Sequence, residues 1–375
     1  MSIATRAGSV SVVPFTEAEV PAALAFNARM LAGKAPTDFV LPDRPNAPDG
    51  DARSGSIVWT KYVAIDDGGH ARGGFLLMQQ PAVLNGQAVA VANYQAPVSE
   101  GILDSRHGMV GMHMLRYVLR QWPHSFVVGM GAADRPLPRL LAAAGWTVRP
   151  IPFLFKMVRP RRVFRELRLL QRRPWMRIGA RVAADSGAAW AAATAMQARG
   201  MFAGGRSLRV EPVAAWGDWA EALWDRVRGE YSFAVARDRA TLTALYPLED
   251  ARYAARLFRD GESIVGWAVC IRTAMRDHQY FGNLTVTTVL DAVSLPGAAA
   301  ACAAALTRTV STNTDLLITN QSHAAWIAAF REAGYASASS NYLLAMSKSL
   351  VQAIGDRVDR IHVTRGDGDG RIHLL

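Results

Sequence analysis

The run Ser105-Arg106-His107-Gly108-Met109-Val110-Gly111 sets a fixed cation beside two glycines, and residues 112–121 after it carry apolar side chains at helical spacing. Residues 88–94 before it read as a buried strand. A glycine loop joining a strand to a helix start aims several backbone N–H groups at one point, where the helix dipole adds positive potential. Such a loop can hold a phosphate, with Arg106 as a charge at its edge; its plainer alternative is a turn that uses glycine for a positive φ. Glu100 and Asp104 are the nearest carboxylates and the candidates for a general base, with His107 and His113 as alternatives. Each of the four is equally a candidate surface charge, helix cap or packing residue.

These residues need elements to position them. Residues 11–15 read as a strand, followed by a helix capped near Thr16 and ending near residue 31. Residues 32–54, rich in Pro, Asp and Gly, read as a loop. Strands at 58–65, 71–80 and 88–94, with a turn at Asn85-Gly86, form an antiparallel meander. After the glycine loop and its helix come a strand at 126–131, a helix at 136–144, the pair Gly145-Trp146, and a strand reaching residue 157. The second half repeats the order: strand 208–213, helix 216–227, strands 251–258, 264–271 and 280–290, helix 297–308, strand 316–319, helix 323–333, Gly334-Tyr335, strand 342–347. We therefore expect an internal duplication at a spacing of about 190 residues. The expected domains are 1–158 and 206–350, joined by a connector at 159–205 and followed by a tail at 351–375.

The order strand, glycine loop, helix, strand, helix, Gly-aromatic pair, strand resembles the second half of the GNAT (GCN5-related N-acetyltransferase) fold. That superfamily writes its pyrophosphate loop Arg/Gln-x-x-Gly-x-Gly/Ala. Arg106 and Gly111 match its first and last positions, Met109 stands at the middle glycine with Gly108 one place early, and Gly145-Trp146 matches the pair after the last helix. The resemblance implies an α/β (mixed α+β) fold of two GNAT-like domains, each a mostly antiparallel mixed sheet flanked by helices. It also implies a direct N-acyltransferase with acetyl-CoA or another acyl-CoA as donor and a small-molecule acceptor of amine or amino-sugar type. Arg106, His107, Gly108, Met109, Val110 and Gly111 would then hold the pyrophosphate, and Asn93, Tyr94 and Gln95 the pantetheine arm, with Glu100 or Asp104 as the base. Many members protonate the departing thiolate with a tyrosine; Leu141 and Phe330 stand at those positions here. The second unit's loop, residues 294–300, has Pro296 and no arginine, so that unit is expected to supply a wall of the acceptor site through Asp277, His278, Tyr280, Asn283 and Asn320. Two alternatives stand beside this reading: a Fem-type aminoacyl-tRNA-dependent transferase, and a non-catalytic GNAT-like scaffold of an envelope polysaccharide pathway.

Composition sets the bounds. The 375 residues, 50% hydrophobic and 19% charged, suit two globular domains. No apolar run is long enough to span a membrane and no leader-like segment opens the chain, while Cys270 and Cys302 lack metal-ligand spacing, so a reduced, cytoplasmic protein is expected. The net charge of +11 is nearly all arginine, a common mark of a GC-rich genome. Eight arginines crowd residues 159–177, as a solvated connector or a face for an anionic membrane surface. Aromatic residues are not interleaved with them in the pattern expected of a single-strand binder, and a nucleic-acid partner is not expected. Asp367-Gly368-Asp369-Gly370 begins like a calcium loop but lacks the closing glutamate, leaving a tail that frays or folds back to close a site with Thr364, Arg365 and Asp367.

Overall fold

Apolar-polar alternation from Ile57 onward builds long antiparallel strands, and the computed structural model, which describes residues 10–37, 39–46, 52–54, 56–168 and 207–368, sets them at the centre of the first unit. This unit comprises β1 (Val10–Pro14), α1 (Val20–Ala32), β2 (Ala52–Ser54), β3 (Ile57–Asp66), β4 (Ala71–Leu84), β5 (Gln87–Ser99), α2 (Val110–Gln121), β6 (Ser125–Val128), α3 (Pro136–Ala143) and β7 (Thr147–Pro150). The expected cap at Thr16 is present as a capping box with Glu19, and it opens a short 3-10 turn from which α1 continues. Asn85 and Gly86 both take positive φ, 52° and 80°, as a two-residue hairpin turn requires. Successive residues of β3 face opposite sides of the sheet. Val63 belongs to one core cluster with Phe26 and Met30 of α1, and Ala64 to another with Met114, Leu115 and Val118 of α2.

The second unit repeats this plan with β8 (Phe153–Met157), α4 (Pro160–Glu166), β9 (Arg209–Pro212), α5 (Asp218–Val227), β10 (Phe233–Val235), α6 (Arg239–Leu245), β11 (Tyr253–Asp260), β12 (Ser263–Ala274) and β13 (Thr285–Ser294). It continues through α7 (Ala299–Val310), β14 (Leu316–Asn320), α8 (Ala324–Glu332) and β15 (Ala336–Ala338). The chain then forms β16 (Leu343–Met346), α9 (Lys348–Ile354) and β17 (Ile361–His362). The sheet of this unit runs β15-β8-β14-β13-β12-β11-β9, and the first unit's runs β1-β3-β4-β5-β6-β16-β7 with β2 beside β3.

Those two orders carry a correction to the expected boundaries. β8, from the end of the first half, lies between β14 and β15, while β16, from the end of the second half, lies between β6 and β7. The units are thus 1–82, 88–149 and 343–355 against 83–87, 150–342 and 356–375, so neither is a continuous stretch of chain. The exchange is locked by side chains: the Lys156 ammonium donates to the Ala333 carbonyl at 2.6 Å, at the C-terminal end of α8, where a cation is favoured.

Other expectations change locally. The strand expected at 280–290 begins at Thr285, because residues 278–282 close a tight bridge of their own. Residues 145–157 hold two strands, divided at Ile151-Pro152. Within the basic segment, α4 buries Val163, Arg159 and Arg162 each lie 3.4 Å from Asp315, and Arg168 pairs with Asp277 at 2.8 Å. Those arginines pair with the second unit's own carboxylates; residues 169–206, most of the expected connector and half of the proposed membrane-facing segment, lie outside the described residues. Among the described residues no helix is long and apolar enough to cross a membrane.

Because β16 supplies the inner partner of β6, a fragment ending at residue 158 exposes both faces of that gap as unpaired edges. We expect it to show no cooperative thermal transition by circular dichroism, whereas the full chain melts cooperatively. A sharp melt from the fragment would mean that the exchange is dispensable.

Candidate active site

β5 and β6 run parallel, but their pairing is confined to Ala92↔Ser125 and Asn93↔Phe126. β6 then ends at Val128 in a segment where Gly129 and Gly131 take positive φ, while β5 continues to Ser99 with Ala96 at φ 44°. A non-glycine residue at positive φ inside a strand marks a local kink and stores strain. Beyond Asn93 no strand pairs with β5 on its β6 side among the described residues, so the Tyr94–Ser99 edge can accept an extended ligand. Tyr94 is fully buried at this point, 4.9 Å from the Phe75 ring, and its hydroxyl has no hydrogen-bond partner among the described residues. Burial pushes its phenol pKa well above the ordinary value.

The chain leaves β5 through two 3-10 turns. The Ser99 hydroxyl accepts from the Gly101 N–H at 3.2 Å and the Asp104 carboxylate from the Arg106 N–H at 3.0 Å. The turns stack so closely that a Cβ on Gly101 would stand 2.7 Å from the His107 carbonyl oxygen, which excludes any other residue there. α2 then begins without a side-chain cap, and the bond from His113 N–H to Met109 C=O, 3.0 Å, leaves the N–H groups of Val110, Gly111 and Met112 with no acceptor within the helix. Gly111 has a packing role besides: a Cβ there would press on Leu140 of α3 at 3.0 Å.

Neither carboxylate is placed as a general base. Glu100 accepts from Arg29 Nε at 2.8 Å, Arg29 Nη2 at 3.0 Å and Arg72 Nη1 at 2.9 Å. Burial alone would raise its pKa, but the bonds from Arg29 and Arg72 outweigh burial and hold it below the ordinary value. Hydrogen bonds from Arg106 bring Asp104 down to about 2. A carboxylate stabilised in this way gains little by taking a proton from an amine, so the expected catalytic role gives way to a structural one: Glu100 ties α1 to the start of β4. Arg106 pairs with Asp104 at 2.7 Å with its side chain 85% exposed, and His107 Nε2 lies 4.0 Å from the same carboxylate.

The second unit has the equivalent divergence. β13 and β14 pair from Val286↔Leu316 to Val289↔Thr319, and a bulge at Leu290 interrupts the β12 ladder next to it. Here the C-terminal segment fills the place. Thr364 bridges to Gln321, Arg365 Nη1 donates to Asn320 Oδ1 at 3.0 Å, and Arg237, 0% exposed, bonds Asp291 at 2.6 Å and Asp367 at 2.7 Å. The Tyr246 hydroxyl donates to Asp291 at 2.9 Å, and burial, which would raise the Asp291 pKa, is outweighed by Arg237, leaving it at about 2. Of the two fates expected for the tail, folding back is therefore the one observed through residue 368. None of Arg237, Tyr246 and Asp291 was anticipated from sequence. The available signal was a lone Asp291 inside the otherwise apolar and hydroxyl-bearing run of β13.

The expected acceptor residues do not form one lining. Asp277, His278, Tyr280 and Asn283 belong to the turn before β13, tied to Arg168 and Glu166. Asn320 is 1% exposed at the far end of β14, and the Val286↔Leu316 register puts it at the opposite end of the sheet. Leu141 and Phe330, at the positions of the family's tyrosine acid, are fully buried core residues.

Neither a family model nor a curated protein matches the sequence. Solved structures do match. A GCN5-related N-acetyltransferase from Anabaena variabilis aligns over 90% of this chain and 72% of its own at 12% identity, TM-score 0.50. A conserved protein from Enterococcus faecalis described as a probable N-acyltransferase aligns over 92% and 74% at 9% identity, TM-score 0.51. The chain thus has the GNAT fold, as two units of mixed sheet flanked by helices.

Two variants test these arrangements. Arg237→Ala leaves Asp291 and Asp367 buried without their cation and should cost about 3–5 kcal/mol in chemical denaturation; a loss under about 1 kcal/mol would show that the network is not needed. Glu100 has a folded pKa below its ordinary 4.5, so its contribution is complete above that value and is lost as pH falls through the depressed folded pKa. The melting-temperature gap between wild type and Glu100→Gln should therefore narrow from pH 7 to pH 3; a gap independent of pH would refute the ion-pair account.

Proposed function

We propose that the protein is an acyl-CoA-dependent N-acyltransferase whose donor binds the first unit. The observation that carries this reading is the divergence of β5 from β6 after Asn93, followed beyond two 3-10 turns by an uncapped helix start. An acyl-CoA is an extended amide chain ending in a pyrophosphate. The free edge of β5 at Tyr94 and Gln95 suits the pantetheine amides, and the N–H groups of Val110 and Gly111 suit the pyrophosphate, with Arg106 at its rim and His107, Gly108 and Met109 shaping the approach. Acetyl-CoA or a longer acyl-CoA serves equally in this geometry.

Transfer is direct. The neutral amine of a small acceptor, of amine or amino-sugar type, attacks the thioester carbonyl; the C–N bond forms, the C–S bond breaks, and CoA leaves as the thiolate. Backbone N–H groups near the kink at Ala96 would polarise the carbonyl. With Glu100 and Asp104 held by arginines, the amine loses its proton to water, and the rate follows the acceptor's own ionisation. The filled divergence in the second unit supports a single donor site per chain.

Calorimetric titration of acetyl-CoA and a longer acyl-CoA into wild type and Arg106→Ala tests the reading. One saturable site per chain, weakened in the variant, is expected. If folded protein binds neither thioester, the donor assignment fails and a non-catalytic scaffold becomes the better account.

A further inference from the structure

α2 has a second chemically loaded face. About 100° per residue places His113, Arg116, Tyr117 and Arg120 in one stripe roughly opposite Gly111, the residue that packs against α3. The stripe and residues 10–12 of β1 line a cavity of about 390 Å³. β1 is the edge of its sheet among the described residues, so the cavity lies at the sheet margin, on the flank of α2 away from the β5–β6 divergence.

Its charge is unbalanced. The arginines around the turns between β5 and α2 are matched to carboxylates: Arg29 and Arg72 to Glu100, Arg106 to Asp104. Arg116 and Arg120 have no such partner among the described residues, and no acid lines the cavity. Asp66, which stands opposite Val10 in the β1–β3 register, is already held by Arg72 at 2.7 Å and by the amides of its own turn. Two guanidiniums one helical turn apart, an imidazole three residues before the first, and a tyrosine between them line the same space, and each carries an N–H or O–H donor. A carboxylate has two oxygens and is satisfied by one guanidinium fork. A phosphate monoester dianion presents three terminal oxygens, and can take both forks and a further donor.

We propose that this cleft binds a phosphate monoester, at a site separate from the donor site and standing whether or not the acyltransferase reading holds. A soluble phosphorylated molecule and a lipid phosphate headgroup share this chemistry. The test is calorimetric titration of inorganic phosphate at constant ionic strength into wild type, the double variant Arg116→Gln/Arg120→Gln, and Arg106→Ala, each confirmed folded by circular dichroism. Saturable binding weakened at least about tenfold in the double variant and unchanged in Arg106→Ala is expected. Absence of saturable binding, equal binding by the double variant, or loss in Arg106→Ala overturns the proposal. Co-sedimentation with phosphatidylcholine vesicles, with and without phosphatidic acid, then names the source. Capture by the acidic vesicles that the double variant lacks supports a lipid headgroup, and its absence alongside phosphate binding supports a soluble ester. Retained acyl-CoA binding by the double variant would show that the two sites are independent.

Discussion

Parallel strands that part in mid-sheet leave backbone N–H and C=O groups that must find other partners, and both units are built around that demand. In the second unit the chain itself answers it. After β16 and α9 the C-terminal segment returns, and Thr364, Arg365 and Asp367 engage both strands just past their last paired residues, Val289 and Thr319. Bringing Asp367 there buries a carboxylate, which requires Arg237, and Arg237 requires Asp291. In the first unit the chain leaves β7 for β8, a strand of the other sheet, and no equivalent segment returns to β5 among the described residues. Among the described residues, one duplicated plan thereby yields one divergence closed by protein and one whose strand edge has no partner strand.

The same economy of charge governs the loop region. The chain is rich in arginine, and the carboxylates nearest the start of α2 are taken by Arg29, Arg72 and Arg106 before any substrate arrives. These pairs tie the turns between β5 and α2 together and hold the Glu100 and Asp104 carboxyls below their ordinary pKa values. Chemistry at such a site rests on positioning and on backbone dipoles, which act without a change of protonation in the protein.

Much of the fold was legible because it is written locally. The Thr16–Glu19 capping box, the Asn85-Gly86 turn and the glycine run before α2 each state their own geometry in a few residues, and the repeated order of elements exposed the duplication. The strand itself was legible for the same reason, since residues 88–94 carry a strand pattern, but Asn93 of the expected edge proves to be paired with Phe126 and the unpaired stretch begins at Tyr94. Glu100 was misread because its neighbours are set by distant residues, Arg29 meeting it across 71 positions, whereas the partner of Asp104, Arg106, stood only two residues away. The expected acceptor set failed likewise, its members sharing a unit but lying at opposite ends of a sheet.

By itself, then, the sequence determined the two repeated units, their helices and strands, and the uncapped helix start beside an arginine, all products of short-range sterics, capping and hydrophobic periodicity. Only the tertiary structure decided that the halves exchange β8 and β16, that the tail closes one divergence, and that Arg237 joins Asp291 to Asp367. Those outcomes depend on which strand edge wins a partner and on how a buried charge is neutralised, and both are settled between residues that are distant in the chain.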